Sequence, residues 1–211
     1  MDGTVSRPAP SRLKPPGQRA RALVLALPNI LTYGRILAVP AIVACLFTMT
    51  GDNARWAALF IYAVACITDW FDGYLARIWE QQSALGRMLD PIADKLLVGT
   101  VLLMLTNDNT ISGAHVFAAV IILCREILVS GLREFLAELN QGDKIKVSQL
   151  AKWKTTLQMI ALGVLLAGMA GEKVLPGLHA LGLGLLWLAA MLTLITGYDY
   201  LRVALKHAID D

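Results

Sequence analysis

Four carboxylates, Asp69, Asp72, Asp90 and Asp94, fall in one stretch, TDWFDGYLARIWEQQSALGRMLDPIADKLL (residues 68–97), between long apolar runs. A helix turns about 100° and rises about 1.5 Å per residue. Asp69, Asp72, Gly73, Ala76 and Arg77 then share one helical stripe, and Gly86, Asp90 and Asp94 share another. Two antiparallel helices joined by a short turn bring the stripes face to face, so the four acids converge. Converging carboxylates do not all stay ionised without cations. Oxygen-only ligands favour Mg²⁺ or Mn²⁺, and no His or Cys accompanies them as zinc would require. Two such ions stabilise the attacking and leaving oxygens of an in-line displacement on phosphorus. Gly73, Ala76 and Gly86 keep the wall thin, and Arg77 offers positive charge to a phosphate. One Asp near a helix end is usually a cap or an ion-pair partner. Four on facing stripes, at membrane depth, point to function.

The elements that position these acids are apolar. The chain has 211 residues, 56% hydrophobic and only 17% charged, which is too apolar for an ordinary soluble domain. A spanning helix needs about 20 apolar residues, and helices satisfy their own backbone in lipid. Six spans are expected, at 28–48, 55–78, 86–106, 113–138, 150–170 and 178–203, separated by breakers such as "TGDN" and "NQGDK". The expected class is all-α, a polytopic membrane protein with six transmembrane helices and a cytoplasm-facing polar cavity. Residues 1–27 form a cytoplasmic tail with a possible interfacial helix, 28–205 the six-helix catalytic domain, and 206–211 a cytoplasmic C-terminal tail.

Lys and Arg crowd the N-terminal tail, the turn after span two and the segment after span four. The opposite connections hold only Arg55 and Lys173. Both termini are therefore expected on the cytoplasmic side. The net charge of +3 argues for no nucleic-acid partner. Cys45, Cys66 and Cys124 are isolated packing residues without disulfide or metal spacing. His115, His179 and His207 have no partners at catalytic spacing and receive no role.

D-x-x-D-G-x-x-A-R, eight residues, then G-x-x-x-D-x-x-x-D resembles the signature of the CDP-alcohol phosphatidyltransferases, with Asp69, Asp72, Gly73, Ala76, Arg77, Gly86, Asp90 and Asp94 all matching. The resemblance implies a six-helix membrane enzyme that cleaves a CDP-linked lipid, transfers the phosphatidyl group to an alcohol and releases CMP. It implies Asp69, Asp72 and Asp90 as metal ligands of Mg²⁺ or Mn²⁺, two ions in all. Asp94 would complete the site and act as general base, though the same residue is open to being a ligand of the second metal. Gly73, Ala76, Arg77 and Gly86 would bind the nucleotide, with Thr32 and Arg35, at the start of span one, in reach of nucleotide or diphosphate. The resemblance also suggests a homodimer.

"LPNILTYGRILAVP", "CREILVSGLREFLAEL" and "KVSQLAKWKTTLQMIAL" resemble the bacterial branch of that family that uses sn-glycerol 3-phosphate. CDP-diacylglycerol and sn-glycerol 3-phosphate are then the expected substrates, phosphatidylglycerol phosphate the product, and the inner membrane of a bacterium the location. A phosphorylated acceptor needs a second cationic pocket, for which Arg125, Arg133, Lys152 and Lys154 are the candidates, with Glu126 bracing an arginine. Arg125 lies too deep to be a mere topological anchor. The rivals are a family member with another acceptor, and a carboxylate-based cation transporter. The second lacks the inverted repeat expected of it.

Overall fold

A computed structural model of the chain describes residues 27–79, 84–138 and 149–210. These residues form α1 (Leu27–Thr48), α2 (Asp52–Trp79), α3 (Ala84–Asn107), α4 (His115–Glu138), α5 (Gln149–Val174) and α6 (Leu178–Asp210), with no strand among them. The tail and its possible interfacial helix lie outside the described residues.

Each helix carries one inward stripe. On α2, Ala54, Ala58, Tyr62 and Ala65 are buried at the i, i+4, i+8, i+11 spacing of one helical face. Small residues there let neighbouring helices approach closely, and the Tyr62 hydroxyl donates to the Met159 carbonyl of α5 at 3.1 Å. The other face turns Phe60, Val64 and Ile67 outward. Five of the helices are long and apolar enough to cross a membrane. Apolar side chains pointing away from the bundle are what a lipid surround requires, and the chain is an all-helical, polytopic membrane protein.

The sixth expected span, α3, does not reach that apolarity, because every stretch of it long enough to span contains Asp90, Asp94 and Lys95. Its placement explains the tolerance. α3 packs against α1, α4 and α5, and Ala93, Leu97, Val98, Val101, Leu102 and Leu105 are buried. Asp90 and Asp94 turn to side chains of α1, and Lys95 to the backbone of its own helix, rather than to acyl chains.

Helix ends differ from expectation where local chemistry was misread. α2 starts at Asp52 rather than 55, since an acidic first turn suits the positive end of the helix dipole. α6 runs on to Asp210 because LRVALKHAID contains no breaker. α5 continues to Val174 through non-helical backbone at Gly168 (φ 49°, ψ −135°), a conformation that suits only glycine. The Arg55 side chain lies against that position, where a Cβ would collide with it.

The three turns 49–51, 108–114 and 175–177 share one end of the bundle, tied by side chains. Lys173 pairs with Asp52 at 2.6 Å. Arg55 donates to Asp108 and to Thr110, each at 2.9 Å. His179 Nε2 donates to the Thr110 carbonyl at 2.9 Å, which fixes its tautomer. Glu172 accepts from the backbone N–H of Gly177 and of His179, capping α6. About two turns beyond His179 on α6, Trp187 donates to His115 Nδ1 at 3.0 Å. The two histidines thus have structural roles that sequence reading did not assign.

Candidate active site

The inward stripes change character at the opposite end. On α2 the run Ala54, Ala58, Tyr62, Ala65 continues to Asp69. On α3 the run Leu105, Val101, Leu97 continues back to Asp94 and Asp90. On α1 the run Ile42, Ala38 continues back to Arg35, Thr32 and Asn29, all three buried. The packing that builds the apolar core therefore also brings polar groups of α1, α2 and α3 together.

Arg35 is the hub. Its side chain is 1% exposed. Nη2 lies 2.6 Å from Asp69 Oδ1, and Nη1 donates to Asp94 Oδ1 at 2.7 Å. Thr32 Oγ1, almost one turn earlier, donates to Asp90 Oδ1 at 2.5 Å. Both Asp69 and Asp94 remain open, 38% and 41% exposed. Pro91 follows Asp90 inside α3, so the helix ladder loses one N–H there. The Lys95 ammonium turns back to the Pro91 carbonyl at 2.7 Å.

Of the two acidic stripes, Asp69 and Asp94 come to the Arg35 guanidinium of α1 and Asp90 to the Thr32 hydroxyl. Gly86 is buried on the same α3 stripe. Asp72, Gly73, Ala76 and Arg77 lie on α2, but their side chains fall outside the described residues. Among the described residues, no three acidic, His or Cys side chains already sit at metal-holding separation. The donor chemistry still fits a hard divalent ion. Asp69, Asp90 and Asp94 lie together with two of them open to solvent, and carboxylate oxygens suit such ions.

A second polar layer joins α4, α5 and α6. Lys154, 4% exposed at its side chain, pairs with Glu126. Arg125 lies 3.6 Å from Glu126 and donates to Thr196 Oγ1 of α6 at 2.9 Å, with Gly197 giving its stem room. Glu126 thus braces Lys154 more closely than Arg125. Gln158 and Thr193 are buried in the same segments, and neither Gln158 Oε1 nor Thr193 Oγ1 has a hydrogen-bond partner. Arg133 is exposed, away from this layer, and the Lys152 side chain lies outside the described residues. Sequence reading missed Thr196 and Gln158. The signals were the i, i+3 pair Thr193 and Thr196 on a membrane helix, and Gln158 one turn beyond Lys154.

Known proteins give the same picture. Residues 25–195 match the model of the CDP-alcohol phosphatidyltransferase family. A protein of Cereibacter sphaeroides named CDP-diacylglycerol–glycerol-3-phosphate 3-phosphatidyltransferase is 39% identical, over 88% of this chain and 98% of that protein. Proteins of the same name from Rickettsia bellii and Haemophilus influenzae are 45% and 37% identical. They cover 86% and 88% of this chain and each aligns over 96% of its own length. The aspartate stripes, the helices that bring them together and a match spanning most of the chain agree, and the chain belongs to the CDP-alcohol phosphatidyltransferase family.

Proposed function

We propose that the chain transfers the phosphatidyl group of CDP-diacylglycerol to sn-glycerol 3-phosphate, giving phosphatidylglycerol phosphate and CMP. One observation carries the reading. Asp69 and Asp94, at their places in the family signature, meet at one buried arginine and stay partly open to solvent, and Thr32 of the same helix holds Asp90. The names of the relatives support the acceptor.

Asp69, Asp72 and Asp90 are the proposed ligands of Mg²⁺ or Mn²⁺, with Asp94 beside them. Bound there, the ions would neutralise the diphosphate and stabilise charge developing on the leaving CMP. Asp94 accepts the proton of the glycerol 3-phosphate hydroxyl as that oxygen bonds to the phosphorus bearing diacylglycerol. The bond from that phosphorus to the oxygen of CMP breaks, and CMP leaves. Arg35 holds one oxygen of Asp94, leaving the other available for the proton. Gly73, Ala76, Arg77 and Gly86 are the proposed nucleotide contacts. Arg125, with Lys154 braced by Glu126, is the proposed seat of the acceptor phosphate, where a guanidinium grips two oxygens at once.

The Lys and Arg distribution supports placing the aspartate end and both termini on the cytoplasmic side of a bacterial inner membrane, as a dimer by family likeness. The test is CMP release by the purified protein with CDP-diacylglycerol and a panel of acceptors. Glycerol 3-phosphate should be used, and serine or inositol phosphate not. No CMP with any acceptor would return the carboxylates to the cation-transporter reading.

A further inference from the structure

Arg35 binds the carboxylates in a way that plain structural pairing does not require. Arg35, rooted in α1, takes one oxygen from an acid of α2 and one from an acid of α3, at 2.6 and 2.7 Å. Both acids stay about 40% exposed while the guanidinium is 1% exposed. Thr32 holds the third acid, Asp90, from the same helix. The planar fork suits this bridge, since it presents two N–H directions to two oxygens, which an ammonium does not. Carboxylates this close also repel each other. Any divalent cation drawn to these oxygens meets a positive charge already fixed among them.

We propose that Arg35 is a positioning residue that serves as a built-in counter-cation. It holds Asp69 of α2 and Asp94 of α3 together and competes electrostatically with a divalent cation for the same carboxylates. The proposal rests on the reading of those carboxylates as cation ligands. It sets Arg35 apart from a nucleotide contact, because its two terminal nitrogens are turned to the acids. Two effects of opposite sign follow. Removing the charge should loosen the acids when no divalent ion is present, and should strengthen their hold on a divalent ion when one is.

The experiment uses the full chain in detergent with Mn²⁺ as the only probe and no substrate. Melting temperature in EDTA and in Mn²⁺, and Mn²⁺ affinity from the resonance of the unbound ion, are measured for wild type, Arg35→Gln and Arg35→Lys. Arg35→Gln should melt lower in EDTA, recover most of that loss in Mn²⁺, and bind Mn²⁺ about tenfold tighter or more. Arg35→Lys, with its charge kept but its fork lost, should fall between. If Arg35→Gln does not survive purification, Arg35→Lys decides alone by the same recovery in Mn²⁺. An equal melting loss with and without Mn²⁺, or an Mn²⁺ affinity that is unchanged or weaker, makes Arg35 a packing residue and overturns the proposal. A wild-type protein indifferent to Mn²⁺ overturns the cation reading beneath it, and the proposal falls with it.

Discussion

At the end of the bundle where α2 passes to α3, the carboxylates Asp69 and Asp94 share the guanidinium of Arg35, and Asp90 takes the hydroxyl of Thr32 from the same helix. At the other end Lys173 meets Asp52 and Arg55 meets Asp108, one for one, and Glu172 and His179 bond to backbone. Both ends are built by the same six helices. The far end gives each of its acids separate partners and closes three turns. The aspartate end puts two acids of different helices on one guanidinium. One-for-one ion pairs near the surface add modest stability. Crowded carboxylates call for cations or a charged substrate, which makes crowding, rather than charge as such, the mark of the working end.

The widest separation between the ends should come from chelation. EDTA is expected to abolish transfer, and Mg²⁺ or Mn²⁺ to restore it, while far-end contacts use no ion. Full CMP release by rigorously metal-free protein would remove the distinction. Next in size is Arg125→Ala. It should raise KM for glycerol 3-phosphate by roughly one to two decades, the loss of a charged hydrogen bond of about 1.5–3 kcal/mol, with KM for CDP-diacylglycerol little changed. Equal movement of both KM values would take Arg125 out of the acceptor site.

Far-end changes should act on stability alone. Arg55→Ala strips Asp108 and Thr110 of their donor and should cost about 1–3 kcal/mol, read as a melting point several degrees lower with both KM values intact. Gly168→Ala strains a positive φ and meets the Arg55 side chain. Its cost should shrink when combined with Arg55→Ala, as contacting sites couple. Strict additivity would mean that the two do not bear on each other. Smallest is Trp187→Phe, which gives up the bond to His115. It should cost about 0.5–1.5 kcal/mol without effect on turnover.

The two ends were unequally legible in the sequence. Periodicity placed Asp69, Asp90 and Asp94 on facing stripes, because a stripe depends only on residues within one helix. It gave Thr32 and Arg35 a place near the site but not their partners. Which acid a guanidinium reaches depends on how α1 packs against α2 and α3, whose acids lie 34 and 59 residues further along the chain. Arg125 stood out because a charge deep in an apolar run has no bland explanation. Thr196, a small hydroxyl in a membrane helix, has several. The far end was hardly legible at all. Asp52, Arg55, Asp108, Glu172 and Lys173 are ordinary turn and flank residues until the three turns are brought together, and His115 and His179 gain meaning only from Trp187 and Thr110. Gly168 looked like one more glycine in an apolar span, since a helix break leaves no trace in hydropathy.

The most direct test makes the same change at each end, Asp94→Asn and Asp108→Asn, and measures the turnover number for CMP release at saturating CDP-diacylglycerol and glycerol 3-phosphate. Both substitutions keep shape and remove one carboxylate charge. Asp94→Asn should lose about 10²–10⁴-fold, the usual scale for a general base, and high Mn²⁺ should not rescue it as it rescues Asp90→Asn. Asp108→Asn should turn over like wild type and merely melt earlier. Near-normal turnover in Asp94→Asn would contradict the account, and rescue equal to that of Asp90→Asn would make Asp94 a metal ligand and send the search for the base elsewhere.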